Sequence, residues 1–218
     1  MTQGKRDTKN GLPLEENGEV SFSLPANINF NGRISIYDNG LQFDNDFYFN
    51  LSKKPKIKVL GINGVSDIFL KKMYTADEFN YLGYNLKTLN YSLIPQQNLI
   101  VLNEINLIPN GLITALMSFC NNGGSLIIIP GMDIDVSTYN SLLNSLQLPQ
   151  INMLNNAEKR ITDINFDHPI FQNTFNKKVT NFQYPKVNSY FNLENNKASA
   201  LSFEDGNDFV TNSKKTYL

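Results

Sequence analysis

Hydrophobic and polar residues alternate over the first quarter of the chain. The period-2 pattern is clearest at Phe47, Phe49 and Leu51, and Asp38-Asn39-Gly40 is a strong tight-turn signal between two such runs. The pattern predicts three or four short strands in a β meander over residues 20–51. A meander of this length cannot bury both of its faces. We therefore expect it to pack on the rest of the chain or to be the end of a β-sandwich.

The pattern changes at Lys56, where continuous apolar runs begin to alternate with amphipathic helical patterns. The predicted strands are 57–62, 84–89, 99–102 and 126–129, with weaker ones at 161–166 and 198–203, and the predicted helices begin near Ser66, Pro109 and Ser137. The first helix is expected to bury Ile68, Phe69 and Met73. Buried strands alternating with helices indicate a parallel sheet covered on both faces. We therefore predict an α/β fold, a flavodoxin-like three-layer sandwich, over residues 55–218, preceded by the β meander over residues 1–54.

Residues that support catalysis are scarce. The chain has one Cys and one His, which excludes an intrachain disulfide and a Cys/His zinc cluster. Cys120 shares a helical stripe with Leu116 and Met117, which is typical of a small buried side chain. His168 precedes a proline, so a turn in which it or Asp167 bonds local backbone explains it. We assign no catalytic residue.

Cofactors, metals and nucleic acid are not indicated either. Gly61-Ile62-Asn63-Gly64 follows the first strand of the α/β region but lacks the spacing of a nucleotide-binding loop. Asp133 and Asp135 could hold a cation, although charge at a helix N-terminus explains them as well. A net charge of -1 excludes a broad basic footprint for nucleic acid. No apolar run is long enough to span a bilayer.

Polar side chains follow three of the predicted strands. Asn63, Asn103, Glu104 and Asp133 come at the points where those strands end, and the carboxyl ends of parallel strands form the crevice in which α/β proteins bind ligands. We predict these four residues as candidate ligand contacts and expect Asn63, Glu104 and Asp133 to be exposed loop positions. A small sugar or a peptide is one class of ligand that such a crevice would accept.

Four segments resemble the membrane-anchored envelope proteins of the Bat-type aerotolerance group. They are FDNDFYF at 43–49, KIKVLG at 56–61, LIVLNE at 99–104 and GGSL at 123–126. The resemblance implies paired membrane spans, then a β-sandwich that ends at residues 20–51, then a domain similar to class I glutamine amidotransferases, which is cut short here at its C-terminus. It also implies a periplasmic location, protein partners in the envelope, and membrane contact only through segments outside this chain. No amidotransferase cysteine follows the strand at 126–129, so no catalytic residue carries over.

The function that we expect is therefore a non-catalytic, extracytoplasmic binding or assembly module of a bacterial envelope protein, without a cofactor. Two alternatives remain. The first is a hydrolase or amidotransferase-like enzyme that uses Ser or Asp chemistry at the strand ends. The second is a domain that binds a small sugar or peptide in the same crevice.

Overall fold

A computed structural model describes residues 21, 23, 29–36, 40, 45–172, 174–175, 183–194, 199–213 and 216–218. The chain divides into two compact units, and the boundary falls between Lys54 and Pro55. The predicted strands at 20–24 and around Leu41 and Phe43, and most of the turn at 38–40, lie outside the described residues. Each unit is presented by itself below.

The first unit contains a β-hairpin built from β1 (Phe30–Ser35) and β2 (Asp46–Leu51). The strands pair antiparallel, with Ile34 opposite Phe47. The rings of Phe47 and Phe49 stack with centroids 6.4 Å apart, as period 2 predicts for residues on one face. Phe47 is nevertheless 65% exposed, so the packing of this face that the sequence predicts stays a prediction.

The second unit begins with alternating strands and helices and ends with strands. Its elements in chain order are β3 (Ile57–Asn63), α1 (Ile68–Met73), β4 (Phe79–Asn85), β5 (Leu99–Asn103), α2 (Asn110–Asn121), β6 (Ser125–Ile129), α3 (Val136–Ser145), β7 (Ile151–Asn155), β8 (Lys159–Ile164), β9 (Lys186–Val187), β10 (Tyr190–Leu193), β11 (Ser199–Phe203), β12 (Asp208–Ser213) and β13 (Thr216–Tyr217). Short 3₁₀ helices occur at Leu86–Thr88, Tyr91–Gln96 and Pro169–Phe171.

One large mixed sheet organises this unit. Its strand order is β4-β3-β5-β6-β13-β12-β11-β8-β9, and β7 and β10 form a separate antiparallel pair. The five strands from β4 to β13 run parallel, whereas the pairs from β13 to β9 are antiparallel. The structure therefore confirms a mixed α/β fold and corrects the expectation of a parallel sheet. The antiparallel strands are short and interrupted by irregular register, which weakens their pattern in the sequence.

The main core lies on the face of the sheet covered by α2 and α3. Every second residue of the parallel strands faces these helices, and residues three and four apart on each helix face the sheet. The buried residues include Leu60, Ile62, Ile100, Leu102, Leu126 and Ile128 from the sheet, Leu112 and Leu116 from α2, and Tyr139, Leu142 and Leu143 from α3. The predicted apolar faces of α2 and α3 are thus confirmed.

The opposite face is covered differently from the prediction. A smaller core joins Leu70 of α1 to Val59 and Val101 of the sheet. Ile68 and Phe69, which were expected to be buried, are 58% and 80% exposed, and Met73 is exposed as well. A six-residue helix has fewer than two turns, so its orientation depends on the sheet beneath it rather than on its own periodicity. In the described part of this face α1 is the one α-helix, and a complete three-layer sandwich stays a prediction.

The second strand of the α/β region also differs from the prediction. It spans Phe79–Asn85 rather than 84–89, because the side chain of Asn85 accepts a hydrogen bond from Lys87 N and begins a 3₁₀ turn there.

Within the described residues, no helix is both long and apolar enough to cross a membrane.

Candidate functional site

The strand order reverses at β3, which has β4 on one side and β5 on the other. Asn63, the last residue of β3, is in register with Asn85 of β4 and with Asn103 of β5. Three asparagines therefore end three adjacent parallel strands at one level. The carboxyl ends of strands at such a reversal are where open α/β sheets form a ligand crevice.

Hydrogen bonds tie these asparagines together. Asn103 donates through Nδ2 to Asn63 Oδ1 at 3.0 Å, and Asn85 donates through Nδ2 to the carbonyl of Asn63 at 3.3 Å. Asn63 and Asn103 are each only 7% exposed, which for Asn63 corrects the expectation of an exposed loop position. Both residues belong to strands, and we call this pair of amides the floor of the crevice. Each amide satisfies a polar group that burial would otherwise leave unpaired.

Glu104 follows Asn103 directly in the chain and has an unusual backbone conformation. Its φ of +49° lies in the left-handed region that non-glycine residues rarely adopt. The surrounding glycines make room for it. A Cβ on Gly64 would lie 2.0 Å from the carbonyl oxygen of Glu104, and a Cβ on Gly131 would lie 3.2 Å from the Glu104 Cβ. A strained residue held by close neighbours at a strand end is an observation that points toward function.

Three loops converge around Glu104, as the strand-end prediction requires. Gly64 N donates to the carbonyl of Asn103 at 2.8 Å, and Glu104 N donates to the carbonyl of Ile129 at 2.9 Å. Asp135 N donates to the carbonyl of Asn106 at 2.7 Å, which joins the loop after β6 to the loop after β5. The backbone therefore fixes the position of the crevice.

The two aspartates of the third loop have different roles. Asp135 caps α3, where its Oδ1 accepts a hydrogen bond from Thr138 N. Asp133 is exposed in the same loop and is available to a partner. Across the described segments, no group of three or more His, Cys, Asp or Glu side chains could hold a metal ion.

A second polar group, which the sequence did not reveal, lies beside the floor. Tyr81 donates its hydroxyl to Asp67 Oδ2 at 3.2 Å, and Asp67 pairs with Lys71 at 2.9 Å. The hydrogen bond from Lys71 holds the pKa of Asp67 below its usual value. Burial raises the pKa of Tyr81 to about 12. A Cβ on Gly61 would lie 2.2 Å from the hydroxyl oxygen of Tyr81. The glycine within this strand was therefore the sign in the sequence that another group approaches the backbone closely there.

The lone cysteine is remote from the crevice. Cys120 Sγ lies 3.9 Å from the hydroxyl of Thr216, which begins β13. Thr216 is in register with Leu126, on the face covered by α2. Burial raises the pKa of the Cys120 thiol, and the hydrogen bond with Thr216 offsets this only in part. The thiol is therefore protonated at neutral pH and suited to packing rather than to nucleophilic attack.

The lone histidine serves a turn, as the sequence predicts. His168 Nδ1 accepts a hydrogen bond from Ile170 N at 3.3 Å, so Nε2 carries the proton and donates to Asn212 Oδ1 at 2.8 Å. Asn212 pairs with Tyr217, the neighbour of Thr216 in β13. Since adjacent residues of a strand point to opposite faces, the imidazole and the thiol lie on opposite faces of the sheet. They cannot form a catalytic dyad.

Comparisons with known proteins give limited likenesses. No family model matches the sequence, and no curated protein matches it. A ThuA-like protein from Bacteroides uniformis is 15% identical, with a TM-score of 0.47 over 67% of this chain and 64% of that one. A β-galactosidase from the psychrophilic Marinomonas ef1 is 11% identical, with a TM-score of 0.46 over 74% of this chain and 26% of that one. The chain thus spans less than two thirds of either structure, and neither likeness supports an assignment.

Proposed function

We propose that the protein is a non-catalytic binding module whose ligand or partner contacts the carboxyl edge of the parallel strands. The observation that carries the proposal is Glu104, which follows the buried Asn63–Asn103 pair in the chain and has a φ of +49°, with Gly64 in close contact with its carbonyl. A conformation that costs roughly 1–3 kcal/mol persists where its surroundings fix it, and such positions cluster at binding and active sites. Asp133, in the loop after β6, adds an exposed carboxylate at this edge, where Glu104 itself is half-buried rather than in the exposed loop position that the sequence predicts.

The distribution of reactive side chains favours binding over catalysis. A hydrolase needs a nucleophile with a base in hydrogen-bond reach, or two carboxylates at a matched distance. The thiol of Cys120 and the imidazole of His168 are engaged on opposite faces of the sheet. Glu104 supplies a carboxylate at the crevice, but neither the Cys120 thiol nor the His168 imidazole lies there to act with it. An enzyme that uses Ser or Asp chemistry at the strand ends is the alternative.

The proposal includes a cellular setting. Resemblance to the Bat-type envelope proteins supports an extracytoplasmic module, anchored through segments outside this chain and binding other envelope proteins. It also supports an amidotransferase-like three-layer sandwich. The order β4-β3-β5-β6, or 2-1-3-4 in chain order, is consistent with a doubly wound fold of the flavodoxin type.

Site-specific photocrosslinking tests where a partner binds. Met132 is 70% exposed in the loop after β6, so benzoylphenylalanine at that position leaves the crevice intact. Met153, 77% exposed on β7, is the matched control because it belongs to the separate β7–β10 sheet. In an envelope extract of the source cell we expect a specific adduct from position 132 and none from position 153. The reverse pattern would move the site away from the strand ends.

Glu104→Gln tests the role of the carboxylate. The substitution keeps the shape of the side chain and removes its charge, so stability should change little. We expect the adduct at position 132 to weaken, whereas Glu78→Gln, an exposed change before β4, should leave it unchanged. Turnover of glutamine or of model esters by the unmutated protein, lost in Glu104→Gln, would overturn the non-catalytic assignment. Competition of the adduct by a free sugar or a short peptide would support the small-ligand alternative.

A further inference from the structure

A cavity of about 320 Å³ lies between the end of β6 and the antiparallel strands, outside the crevice described above. Its walls are mostly apolar, and five of the fifteen lining residues are aromatic. They include Tyr190, Phe203, Phe209, Val210 and Tyr217. We call it the aromatic cavity. Its size falls at the lower end of the range typical of small-molecule sites.

Three of these rings form a continuous wall. The ring centroids of Tyr190 and Phe203 are 5.3 Å apart, and those of Phe203 and Phe209 are also 5.3 Å apart. The wall already attracts a cation on one side, since Lys159 Nζ lies 4.1 Å from the centroid of Tyr190 and 5.1 Å from that of Phe203. The electron-rich faces of these rings are therefore suited to positive charge.

One acidic side chain lines the aromatic cavity. Asp208 is 7% exposed, and its Oδ2 has no hydrogen-bond partner within the described part of the chain. Burial raises the pKa of this carboxyl, and a hydrogen bond with Ser199 offsets the shift only in part. A buried carboxylate oxygen without a donor is costly, so such a group is normally paired by a side chain, a water or a ligand.

We propose that the aromatic cavity binds a small organic ammonium ion with an apolar body, whose ammonium group pairs with the carboxyl group of Asp208. An ionised carboxylate only accepts hydrogen bonds, and an ammonium group only donates them. The apolar body of the ligand replaces water against Tyr190, Phe203 and Phe209. Lys159 does not oppose the charge, because its Nζ is paired with Asp205 Oδ2 at 2.5 Å. Its carboxyl group and its aromatic wall are separate from the proposed strand-end site, although Ile129, which lines the cavity, also accepts the hydrogen bond from Glu104 N.

Calorimetric titration of the whole chain at neutral pH tests the charge requirement. The probes are 2-phenylethylamine, which is protonated at that pH, and 2-phenylethanol, which has nearly the same shape without the charge. We expect the amine to bind at least about tenfold more tightly than the alcohol, since hydrogen bonds between charged groups are about twice as strong as neutral ones. Equal affinity for the two probes, or binding of neither, would overturn the proposal.

Two matched variants locate the binding. Asp208→Asn keeps the side-chain shape and removes the charge, and it should weaken amine binding at least about tenfold. Asp163→Asn is the control, because Asp163 is exposed on β8 and does not line the cavity. Unchanged binding in Asp208→Asn, or an equal loss in both variants, would also overturn the proposal.

A measurement on the unmutated protein keeps the test valid if Asp208→Asn fails to fold. Nuclear Overhauser contacts from the ring protons of bound 2-phenylethylamine should reach the methyl groups of Val210, which line the cavity. Methyl groups of Leu116, buried in the core on α2, should show none. Contacts elsewhere on the surface, without any to Val210, would exclude the aromatic cavity as the site.

Discussion

At the scale of single residues, the amide pair at the crevice floor gives the sharpest expectation. Asn63 Oδ1 accepts its hydrogen bond from Asn103 Nδ2 in a buried setting. Asn103→Ala leaves that oxygen without its donor, which typically costs about 1–3 kcal/mol. We therefore expect urea denaturation to show a fall of that size in the free energy of unfolding. Asn106→Ala, an exposed change in the next loop, should shift it by less than about 0.5 kcal/mol.

A double-mutant cycle would separate the contribution of the hydrogen bond between the two asparagines from the contribution that each side chain makes by itself. If the hydrogen bond accounts for the effect, Asn63→Ala and Asn103→Ala combined should cost clearly less than the sum of the single changes, since either change alone removes the bond. Additive losses would show instead that each asparagine contributes independently, through packing or, for Asn63, through the bond from its Nδ2 to the carbonyl of Gly61.

Cys120 should behave as a packing residue. Burial raises the pKa of its thiol, so thiolate is scarce at neutral pH and access to it is restricted. We expect Ellman's reagent to label the native protein much more slowly than the urea-unfolded protein. Cys120→Ala should cost about 1 kcal/mol, because a small, half-buried side chain leaves a small void. Native labelling as fast as unfolded labelling would contradict a packing role.

Tyr139 should make the protein sensitive to alkaline pH. Its hydroxyl donates to the carbonyl of Ile105 at 2.6 Å in a fully buried position, and burial, followed by the charge of Glu104, raises its pKa. Tyr81 is shifted the same way, to about 12. Ionisation then favours the unfolded chain, in which tyrosine titrates near pH ~10. Stability from these groups is present below that pH and is lost as the pH rises through the folded-state values.

Urea denaturation at a series of pH values would measure this loss. We expect the free energy of unfolding to decline above pH ~10, and Tyr139→Phe to decline less steeply although it is less stable at neutral pH. Tyr48→Phe is the control, since Tyr48 is 69% exposed and should leave the slope unchanged. Equal slopes for the unmutated protein and Tyr139→Phe would show that Tyr139 does not govern the alkaline transition.

At the scale of elements, α1 shows where burial and periodicity disagree. Leu70 is 7% exposed against Val59 and Val101, whereas its neighbour Phe69 is 80% exposed. Leu70→Ala should lower the free energy of unfolding by about 2 kcal/mol or more, because it opens a cavity in the smaller core. Phe69→Ala should change it by less than about 0.5 kcal/mol. The opposite ranking in thermal or urea unfolding would mean that α1 packs through Phe69.

The sequence predicts an element well when its own residues decide its environment. β3, β5 and β6 are buried in the middle of the sheet, so each appears as a continuous apolar run. The N-terminus of α3 was placed close to its actual position because helices favour a polar cap, although the cap is Asp135 and not Ser137. β4 was misplaced because it is an edge strand with alternating burial, so its pattern is weak.

The same distinction applies to the candidate sites. Asn63, Asn103 and Glu104 could be grouped from the sequence because parallel strands end at one edge. Their burial could not be predicted, since it depends on pairing between residues 40 positions apart. Asp208 gave no signal, because its burial arises from the aromatic residues of other strands. The positive φ of Glu104 could not be predicted either, since glutamate is not a residue type that indicates a left-handed backbone conformation.

At the scale of the whole molecule, the buried apolar core belongs to the second unit. Among the described residues, every buried hydrophobic side chain lies at Val59 or beyond, whereas Phe47 and Tyr48 of the first unit are 65% and 69% exposed. A two-stranded hairpin such as β1–β2 is marginally stable by itself. The second unit therefore contains the described core that can stabilise a fold, whereas the hairpin of the first unit contributes little stability by itself.

Separating the units at Lys54 and Pro55 tests this difference. We expect residues 55–218 to unfold cooperatively, because they contain the described core, but to be less stable or more prone to aggregate than the whole chain, because the meander is expected to pack its apolar face on the rest of the chain. Residues 1–54 alone should show no cooperative transition by circular dichroism. A control cut at Gly123-Gly124, which divides the core between α2 and β6, should abolish folding. If residues 55–218 instead melt within a few degrees of the whole chain, the two units fold independently, and the expected packing of the meander on the α/β unit is wrong.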